Sequence, residues 1–393
     1  MGGGLELKRI LILPLFTMES GHHRSSQALM ESFKRLDPSI HCEKVDFLSY
    51  VNTTLEKLVS QLYLKWITKV PGFYSSFYKQ FFYQQSRLLE FVYETLFLEI
   101  MQRLIEEKQP DVLICTHSFP SFLISKLKEY NRCHIPVVNI YTDFCLNHLW
   151  GKEQVDLHFV PSKSAKEHLM TSSVPEENIV ITGIVTNDQF LKRKRKKARE
   201  EKIHVLVAGG SLGLGELSSL LDSRNNNAVE YRVLCGSNRS LYQKVTALNS
   251  DSIQPYSYIS SPAQMNQLYD WADALITKPG GVTVSEALKK QLPVFIHSVL
   301  PGQEELNMSF LKSRGLVLKL NKNKQIEKQI VSVLNHPDAL SNINEAMQLF
   351  LQEAELLSCS EATRLIVERM FNHAAYKRSV YLEQIVSRLQ QSL

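Results

Sequence analysis

Short apolar runs alternate with helical patterns along almost the whole chain, and this alternation constrains the fold more than any other feature. Strands and helices in turn are typical of parallel sheets joined by right-handed crossovers. At 393 residues the chain is too long for one ordinary core. We therefore predict an α/β protein with two domains. The predicted strands lie near Ile10–Leu15, Cys42–Phe47, Val112–Thr116, Val137–Tyr141, Leu157–Val160, His204–Ala208, Tyr231–Cys235, Tyr256, Ala274–Thr277, Pro293–Ile296 and Leu316–Leu318.

A run of like charges, LKRKRKKARE at Leu191–Glu200, separates the two halves. So many cations in a row cannot pack together, which indicates an exposed linker that could face an anionic membrane. The run lacks interleaved aromatic residues and the net charge is only +5, so nucleic acid is not an expected partner. The predicted boundaries are a first domain at 1–188 with a helical insert at about 50–108, a linker at 189–201, a second domain at 202–358, and C-terminal helices at 359–393.

The cysteines and the hydropathy of the chain indicate the cellular compartment in which the protein is expected. The six cysteines form no C-x-x-C pair and no metal-ligand spacing, a pattern that fits a reducing interior. Hydrophobic residues at 44% and charged residues at 22% are typical of a globular protein. The chain shows no leading apolar signal segment and no run of about eighteen apolar residues. We expect a cytoplasmic protein that is neither exported nor membrane-spanning.

The segment ITKPGGVTVSEALKKQLPVFIHSVLPGQEELN, Ile276–Asn307, carries the clearest binding pattern. A strand runs into Pro279-Gly280-Gly281 and a helix starts at once, so free helical N–H groups and a positive dipole end suit a diphosphate. Glu286, about one turn further, suits the diol of a ribose. The alternative is an ordinary strand-to-helix turn with a solvated Glu286. The following loop holds amide and acid groups that suit sugar hydroxyls: Gln303, Glu304, Glu305 and Asn307.

A second candidate site lies in ILILPLFTMESGHHRSSQAL, Ile10–Leu29. A strand leads to a helix that opens at Gly21, which places His22 at the carboxyl edge of the sheet, where ligands of open α/β folds bind. Imidazole can take a proton from an attacking hydroxyl near neutral pH. The doubled histidine leaves His23 as an alternative base. The alternative to a catalytic role is that the histidine only begins the helix.

Two further loops follow predicted strands. Asp143 comes after Val137–Tyr141 at the same sheet edge, where it can orient a base or an acceptor hydroxyl, or only cap a loop. The loop Gly209–Gly215 follows a strand and precedes a helix, which makes Gly210, Ser211 and Gly213 candidates for phosphate binding. A tight turn alone is the alternative. Because its glycines lack the G-x-G-x-x-G order, a dehydrogenase is a poor interpretation.

The stretch Lys57–Arg87 holds five Lys/Arg, no Asp or Glu, and nine aromatic residues. Aromatic rings with polar tips, mixed with basic residues, favour the headgroup layer of a bilayer. The alternative is a pair of helices packed on the first domain, with the aromatic residues in its core. The two interpretations are compatible if one face of the helices is buried in the core and another faces the membrane. The candidate membrane or acceptor residues are Trp66, Phe73, Tyr74, Phe77, Tyr78, Phe81 and Phe82.

The motifs together resemble glycosyltransferase family 28, in the branch of monogalactosyldiacylglycerol synthases and processive diacylglycerol glucosyltransferases. The resemblance covers residues 8 to 320 approximately. One departure is that Val185 and Thr186 follow Gly183-Ile184 where the branch usually has a proline. The segments that carry the resemblance are GHHRSSQAL (Gly21–Leu29), YTDFCLNHLW (Tyr141–Trp150), ITGIVTNDQF (Ile181–Phe190), VAGGSLGLGE (Val207–Glu216), TKPGGVTVSEAL (Thr277–Leu288) and LPGQEELN (Leu300–Asn307).

The resemblance implies a GT-B fold, two Rossmann-like domains facing each other across a cleft, and an inverting transfer of hexose from a UDP-sugar. His22 would be the base, with Asp143 beside it, and the long insert would meet the lipid acceptor. The transfer would need no metal and no cofactor beyond the UDP-sugar, which is a co-substrate. The donor residues would be Gly210, Ser211 and Gly213 with Gly280, Gly281, Val282 and Thr283 on the diphosphate, Glu286 on the ribose, Ile259 by the uracil, and Gln303, Glu304 and Asn307 on the hexose.

We expect a membrane lipid such as diacylglycerol as the acceptor and a peripheral position on the inner face of the cell membrane. Three alternatives stay open: a soluble acceptor, a UDP-sugar 2-epimerase, and a non-catalytic protein that binds a nucleotide sugar or lipid. The sequence does not distinguish UDP-glucose, UDP-galactose and UDP-N-acetylglucosamine. It also leaves the oligomeric state open.

Overall fold

In the described part of the chain, the strands form two parallel sheets of six strands each. The structure is a computed structural model that describes residues 8–15, 20–54, 87–191, 202–209 and 228–371. The first sheet has the order β2-β1-β3-β4-β5-β6 and the second β12-β11-β10-β7-β8-β9. The strands are β1 Arg9–Leu13, β2 His41–Lys44, β3 Val112–Cys115, β4 Val137–Ile140, β5 Leu157–Val160, β6 Ile179–Ile181, β7 Ile203–Ala208, β8 Val229–Leu234, β9 Ile253–Tyr256, β10 Ala274–Thr277, β11 Val294–Ile296 and β12 Leu318–Lys319. The predicted α/β class is therefore confirmed.

Helices connect these strands. The α-helices are α1 Gly21–Leu36, α2 Phe47–Val51, α3 Arg87–Lys108, α4 Ser118–Glu129, α5 Lys163–Met170, α6 Arg239–Thr246, α7 Pro262–Trp271, α8 Gly281–Lys289, α9 Gln303–Ser313, α10 Ile326–Leu334, α11 Pro337–Gln352 and α12 Cys359–Ile366. Two short 3-10 turns cover Glu176–Asn178 and Asp188–Leu191, and a π-helical turn, Val367–Phe371, continues α12. The local sequence explains where several helices begin. Ser261 caps the N-terminus of α7 just before Pro262, and Ser358 forms a capping box with Glu361 at the N-terminus of α12.

The inner strands, such as β3, β5, β7 and β10, are buried on both faces, which explains why they are apolar rather than alternating. The edge strands β2 and β9 are more polar and partly exposed, and β8 alternates. In β1, Leu11 and Leu13 enter one core cluster while Ile10 and Ile12 enter another on the opposite face. In β10, Leu275 faces one cluster and Ile276 the other. Fully burying each such side chain stabilises the fold by about 1.5–3 kcal/mol. The strand β6 was not predicted because its run of three apolar residues is too short to stand out.

The chain crosses back to the first domain near its end. Helix α12 packs on α1, with Cys359, Ala362 and Ile366 in the same core cluster as Leu29 and Phe33. The hydroxyls of Ser32 and Thr363 lie 2.8 Å apart in this contact. Within the described residues, the chain therefore passes between the domains after β6 and again between α11 and α12. This placement of α12 had no basis in the sequence pattern.

Candidate active site

Loops at the carboxyl ends of the first sheet meet the start of α8 and α9 in the second domain. Gly281 approaches Thr142 so closely that a Cβ there would lie 2.1 Å from the Thr142 carbonyl oxygen, a separation that no side chain tolerates. Phe144, in the loop after β4, stacks on Phe310 of α9 with ring centroids 5.3 Å apart. The loop after β4 thus meets helices α8 and α9 at one interdomain contact.

His22 lies in the first turn of α1 with its ring held from one side. Its Nδ1 is 2.7 Å from the Thr116 carbonyl oxygen and 2.8 Å from the Thr142 hydroxyl oxygen. Because a carbonyl can only accept, Nδ1 donates and the lone pair of the neutral ring is on Nε2. Burial lowers the pKa of His22 below 6.5, although Asp143 and the Thr116 hydrogen bond raise it in part. The ring is therefore a neutral base at pH 7.

The environment of His23 differs from that of His22. Its side chain is buried, with Nε2 2.8 Å from Asp46 Oδ1 and Nδ1 3.2 Å from the Ser20 hydroxyl oxygen. Both ring nitrogens thus have partners within the first domain. This favours His22 over His23 as the base.

Asp143 and Asn307 join the two domains beside His22. The Asn307 amide nitrogen donates to Asp143 Oδ1 at 2.8 Å and to the Pro279 carbonyl at 3.1 Å. Its Oδ1 accepts from the Phe144 backbone N–H at 3.1 Å. Burial raises the pKa of Asp143, while His22 and Asn307 act to lower it. Asp143 is thus placed to stabilise a positive charge on His22.

Helix α8 begins at Gly281 with Gly280 as its N-cap residue, and no side chain caps it. The first backbone N–H groups of a helix lack partners within the helix, so this turn can bind an anion. Thr283 and Glu286 follow on the same helix, both buried. The start of α8 is therefore a candidate for the predicted diphosphate site.

Glu286 is held by residues of both domains. Arg24 of α1 donates through Nη1 to Glu286 Oε2 at 3.1 Å and Oε1 at 3.4 Å, and through Nη2 to the Thr283 hydroxyl at 2.7 Å. The Tyr269 hydroxyl of α7 donates to Glu286 Oε2 at 2.8 Å. A donor that uses Glu286 must displace or share these contacts.

The other predicted sugar residues also take part in contacts. Gln303 donates through Nε2 to the Cys145 carbonyl of the first domain at 2.9 Å. Glu304 accepts from Lys278 Nζ at 2.9 Å and from the Leu300 backbone N–H at 2.8 Å. Ile259 is half-buried in the loop after β9 and packs on the core of the second domain. Gln303 therefore contacts the first domain, whereas these hydrogen bonds of Glu304 are with residues of the second domain.

Several predicted site residues cannot be placed. Gly210, Ser211 and Gly213 lie outside the described residues, as do the candidate membrane residues Trp66, Phe73, Tyr74, Phe77, Tyr78, Phe81 and Phe82. Within the described ranges, no group of three or more His, Cys, Asp or Glu side chains is arranged to hold a metal ion. Among the helices in those ranges, none is both long and apolar enough to cross a bilayer.

The sequence analysis missed five residues that support the site: Arg24, Thr116, His117, Thr142 and Tyr269. Arg24 stands in a motif already singled out, and its charge two residues after His22 was a usable signal. The His117 ring centroid is 5.0 Å from that of His22, and burial holds the pKa of His117 well below its usual range. Tyr269 carried no local signal because its role depends on a contact with another helix.

Two parallel-sheet domains that meet at the carboxyl ends of their strands are typical of the GT-B fold class. Residues 22–186 match the family model for monogalactosyldiacylglycerol (MGDG) synthase, and residues 204–356 match the glycosyltransferase family 28 C-terminal domain. The chain is 40% identical over 318 residues to the uncharacterized glycosyltransferase YkoN of Bacillus subtilis (strain 168), which covers 79% of this chain and 84% of that protein. The chain belongs to glycosyltransferase family 28, as the motifs predicted, and it is a glycosyltransferase.

A more distant relative and the solved structures agree. The processive diacylglycerol beta-glucosyltransferase of Bacillus subtilis (strain 168) is 27% identical over 384 residues, covering 91% of this chain and 99% of that protein. The structure of MurG from Acinetobacter baumannii has a TM-score of 0.56 and 13% sequence identity, and the match covers 92% of this chain and 99% of MurG. The structure of a UDP-N-acetylglucosamine 2-epimerase has a TM-score of 0.54 and 14% sequence identity, and the match covers 94% of this chain and 97% of the epimerase. The two solved structures confirm the GT-B fold, and at 13% and 14% identity they support the fold alone.

Proposed function

We propose that the protein is an inverting transferase that moves a hexose from a UDP-sugar to a hydroxyl of a membrane lipid such as diacylglycerol. The observation that carries the proposal is the junction itself. His22 contacts Thr142 of the first domain, and the Thr142 backbone in turn touches Gly281 at the start of α8, the helix that carries the buried Glu286. A direct displacement needs a base and an anion-binding group on opposite sides of one sugar carbon.

The base step follows from the tautomer of His22. The acceptor oxygen forms a bond to the anomeric carbon, the bond from that carbon to the diphosphate oxygen breaks, and the hydroxyl proton goes to Nε2 of His22. Because Thr116 and Thr142 hold Nδ1, the ring is oriented for this transfer. Asp143 stabilises the imidazolium that forms, as its effect on the pKa of His22 indicates. One-step attack from the opposite face inverts the anomeric centre.

The leaving nucleoside diphosphate is stabilised by the start of α8. Backbone N–H groups of Gly281, Val282 and Thr283 and the positive end of the helix dipole compensate the charge that develops on the diphosphate. Glu286, already a hydrogen-bond acceptor for Tyr269, accepts from the ribose hydroxyls. Gln303, Glu304 and Asn307 bind the hexose, and Ile259 lies by the uracil. In this scheme the transfer requires neither a metal ion nor a cofactor beyond the UDP-sugar.

The lipid acceptor is supported by relatives and by composition. The relative described above is named a processive diacylglycerol beta-glucosyltransferase, and the first family model is named for a diacylglycerol lipid product. The aromatic and basic stretch Lys57–Arg87 suits a membrane surface with anionic lipids. We place the protein in the cytoplasm, peripherally on the inner face of the cell membrane.

A donor screen tests this function. Purified protein is incubated with UDP-glucose, UDP-galactose or UDP-N-acetylglucosamine and with vesicles containing diacylglycerol, and the lipids are analysed by mass spectrometry. We expect one donor to add a hexose mass to diacylglycerol, with a β linkage by NMR. Transfer only to soluble acceptors would overturn the lipid assignment. Epimerised donor with no transfer would overturn the reaction class.

A further inference from the structure

Arg24 is the residue that most directly connects the candidate base with the candidate donor site. It lies in the first turn of α1, two residues after His22, and its guanidinium reaches across to α8 of the other domain. There it contacts the Thr283 hydroxyl at 2.7 Å and the Glu286 carboxylate at 3.1 Å. The guanidinium therefore spans the group proposed for the diphosphate and the group proposed for the ribose.

The Glu286 carboxylate is buried, whereas the Arg24 side chain is 30% exposed. A buried carboxylate must stay compensated, so Arg24 can leave Glu286 only if other donors replace it. The two hydroxyls of a ribose are such donors, and the Tyr269 hydroxyl remains in place at 2.8 Å. Binding of a nucleotide ribose to Glu286 thus frees the guanidinium without leaving the carboxylate unpaired.

The released guanidinium has a natural second partner. A nucleoside diphosphate at the start of α8 brings negative charge next to Thr283, which Arg24 already contacts. The planar guanidinium fork matches two phosphate oxygens at once. Lys278, another cation near this helix start, is engaged with Glu304 at 2.9 Å. Arg24 can therefore exchange a carboxylate for a diphosphate with little movement.

We propose that Arg24 is a donor-binding residue that passes from Glu286 to the diphosphate when the nucleotide binds. This inference rests on the proposed function, since it assumes the nucleotide at α8. Because Arg24 belongs to the first domain, the exchange makes the diphosphate a bridge between the domains. It also places a positive charge on the leaving group from the same helix that carries the base.

Calorimetry with UDP and with uridine tests the proposal. The ratio of the uridine Kd to the UDP Kd measures the contribution of the diphosphate within each variant, so effects on domain packing cancel. We expect Arg24→Gln to lower this ratio roughly tenfold, as for the loss of one charge-assisted pair. Arg24→Lys should give an intermediate ratio because the charge remains without the fork. Lys34→Gln, on the exposed last turn of the same helix, should leave the ratio unchanged.

The outcomes separate this proposal from the one on which it rests. An unchanged ratio in Arg24→Gln, with UDP still bound, would overturn the role of Arg24 and leave the donor site intact. Tighter binding of UDP and uridine alike, with no change in the ratio, would show that Arg24 only closes the junction. Failure of the wild-type protein to bind either ligand would overturn both. If Arg24→Gln does not fold by circular dichroism, the ratio in Arg24→Lys decides.

Discussion

His22 and His23 are adjacent in the chain but differ in what their rings can do. The Nδ1 of His22 is held by Thr116 and Thr142, which leaves the lone pair on Nε2, whereas both nitrogens of His23 are engaged by Asp46 and Ser20. The two positions therefore form a matched pair for mutagenesis. One change should affect chemistry and the other stability.

We predict that His22→Ala lowers kcat by about 100- to 10,000-fold, the usual contribution of a general base. The melting temperature should change little. His23→Ala removes a buried partner of Asp46 and should cost about 1–3 kcal/mol of stability while turnover persists. Steady-state kinetics and thermal unfolding of both variants check this. Wild-type turnover in His22→Ala would assign the base elsewhere.

The pH dependence of transfer should follow His22 and Asp143. Burial lowers the pKa of His22 below 6.5, so kcat/KM should rise with pH through a value below 6.5 and be level at pH 7. The Asp143 carboxylate raises the pKa of His22, and therefore Asp143→Asn should move the acidic limb to lower pH. The plateau should also fall, since the imidazolium loses its counter-charge. A limb that shifts to higher pH or stays in place would contradict this coupling.

At the scale of elements, the start of α8 must touch the loop after β4 for the site to assemble. Gly281 permits this contact, because a Cβ would lie 2.1 Å from the Thr142 oxygen, whereas a Cβ at Gly280 would meet no atom within 4 Å. We predict that Gly281→Ala forces the domains apart and lowers kcat/KM about a hundredfold. Gly280→Ala should leave the domain packing unchanged. Small-angle X-ray scattering compares the two, and equal radii of gyration would contradict the prediction.

A buried lysine of the second domain contacts the connection between the domains. Lys289 of α8 donates to the Thr186 hydroxyl at 3.0 Å and the Ile184 carbonyl at 3.3 Å, in the segment that follows β6. Ser25 of α1 donates to the neighbouring Val185 carbonyl at 2.7 Å. Both domains thus hold the segment that follows β6.

This lysine should give the protein a measurable alkaline stabilisation. Burial lowers the pKa of Lys289 from 10.5 to about 8, so between these values the unfolded chain binds more protons than the folded one. The contribution of Lys289 to the free energy of unfolding should therefore rise as the pH increases from about 8 to 10.5. Urea unfolding of wild type and Lys289→Met at pH 7.5 and 9.5 measures it. We expect the free energy of unfolding of the wild type to increase relative to that of Lys289→Met between pH 7.5 and 9.5. No such increase would contradict this assignment.

Across the whole molecule, local patterns predicted the sheets well because the apolar strand runs reflect burial on both faces. The same logic placed His22 and the α8 helix start at strand ends. Contacts between distant residues were beyond such patterns: Arg24 and Glu286 are 262 positions apart, and Asp143 and Asn307 are 164 apart. The return of α12 to the first domain is likewise set by packing against α1. The roles assigned to the donor residues stay predictions.

The central claim is that the start of α8, between the two domains, binds the diphosphate of an activated sugar. A crystal structure of the protein with UDP tests it most directly. We predict diphosphate oxygens within hydrogen-bond distance of the backbone N–H groups of Gly281–Thr283, and ribose hydroxyls on Glu286. UDP bound away from α8, or no UDP in crystals grown at saturating concentration, would contradict the claim.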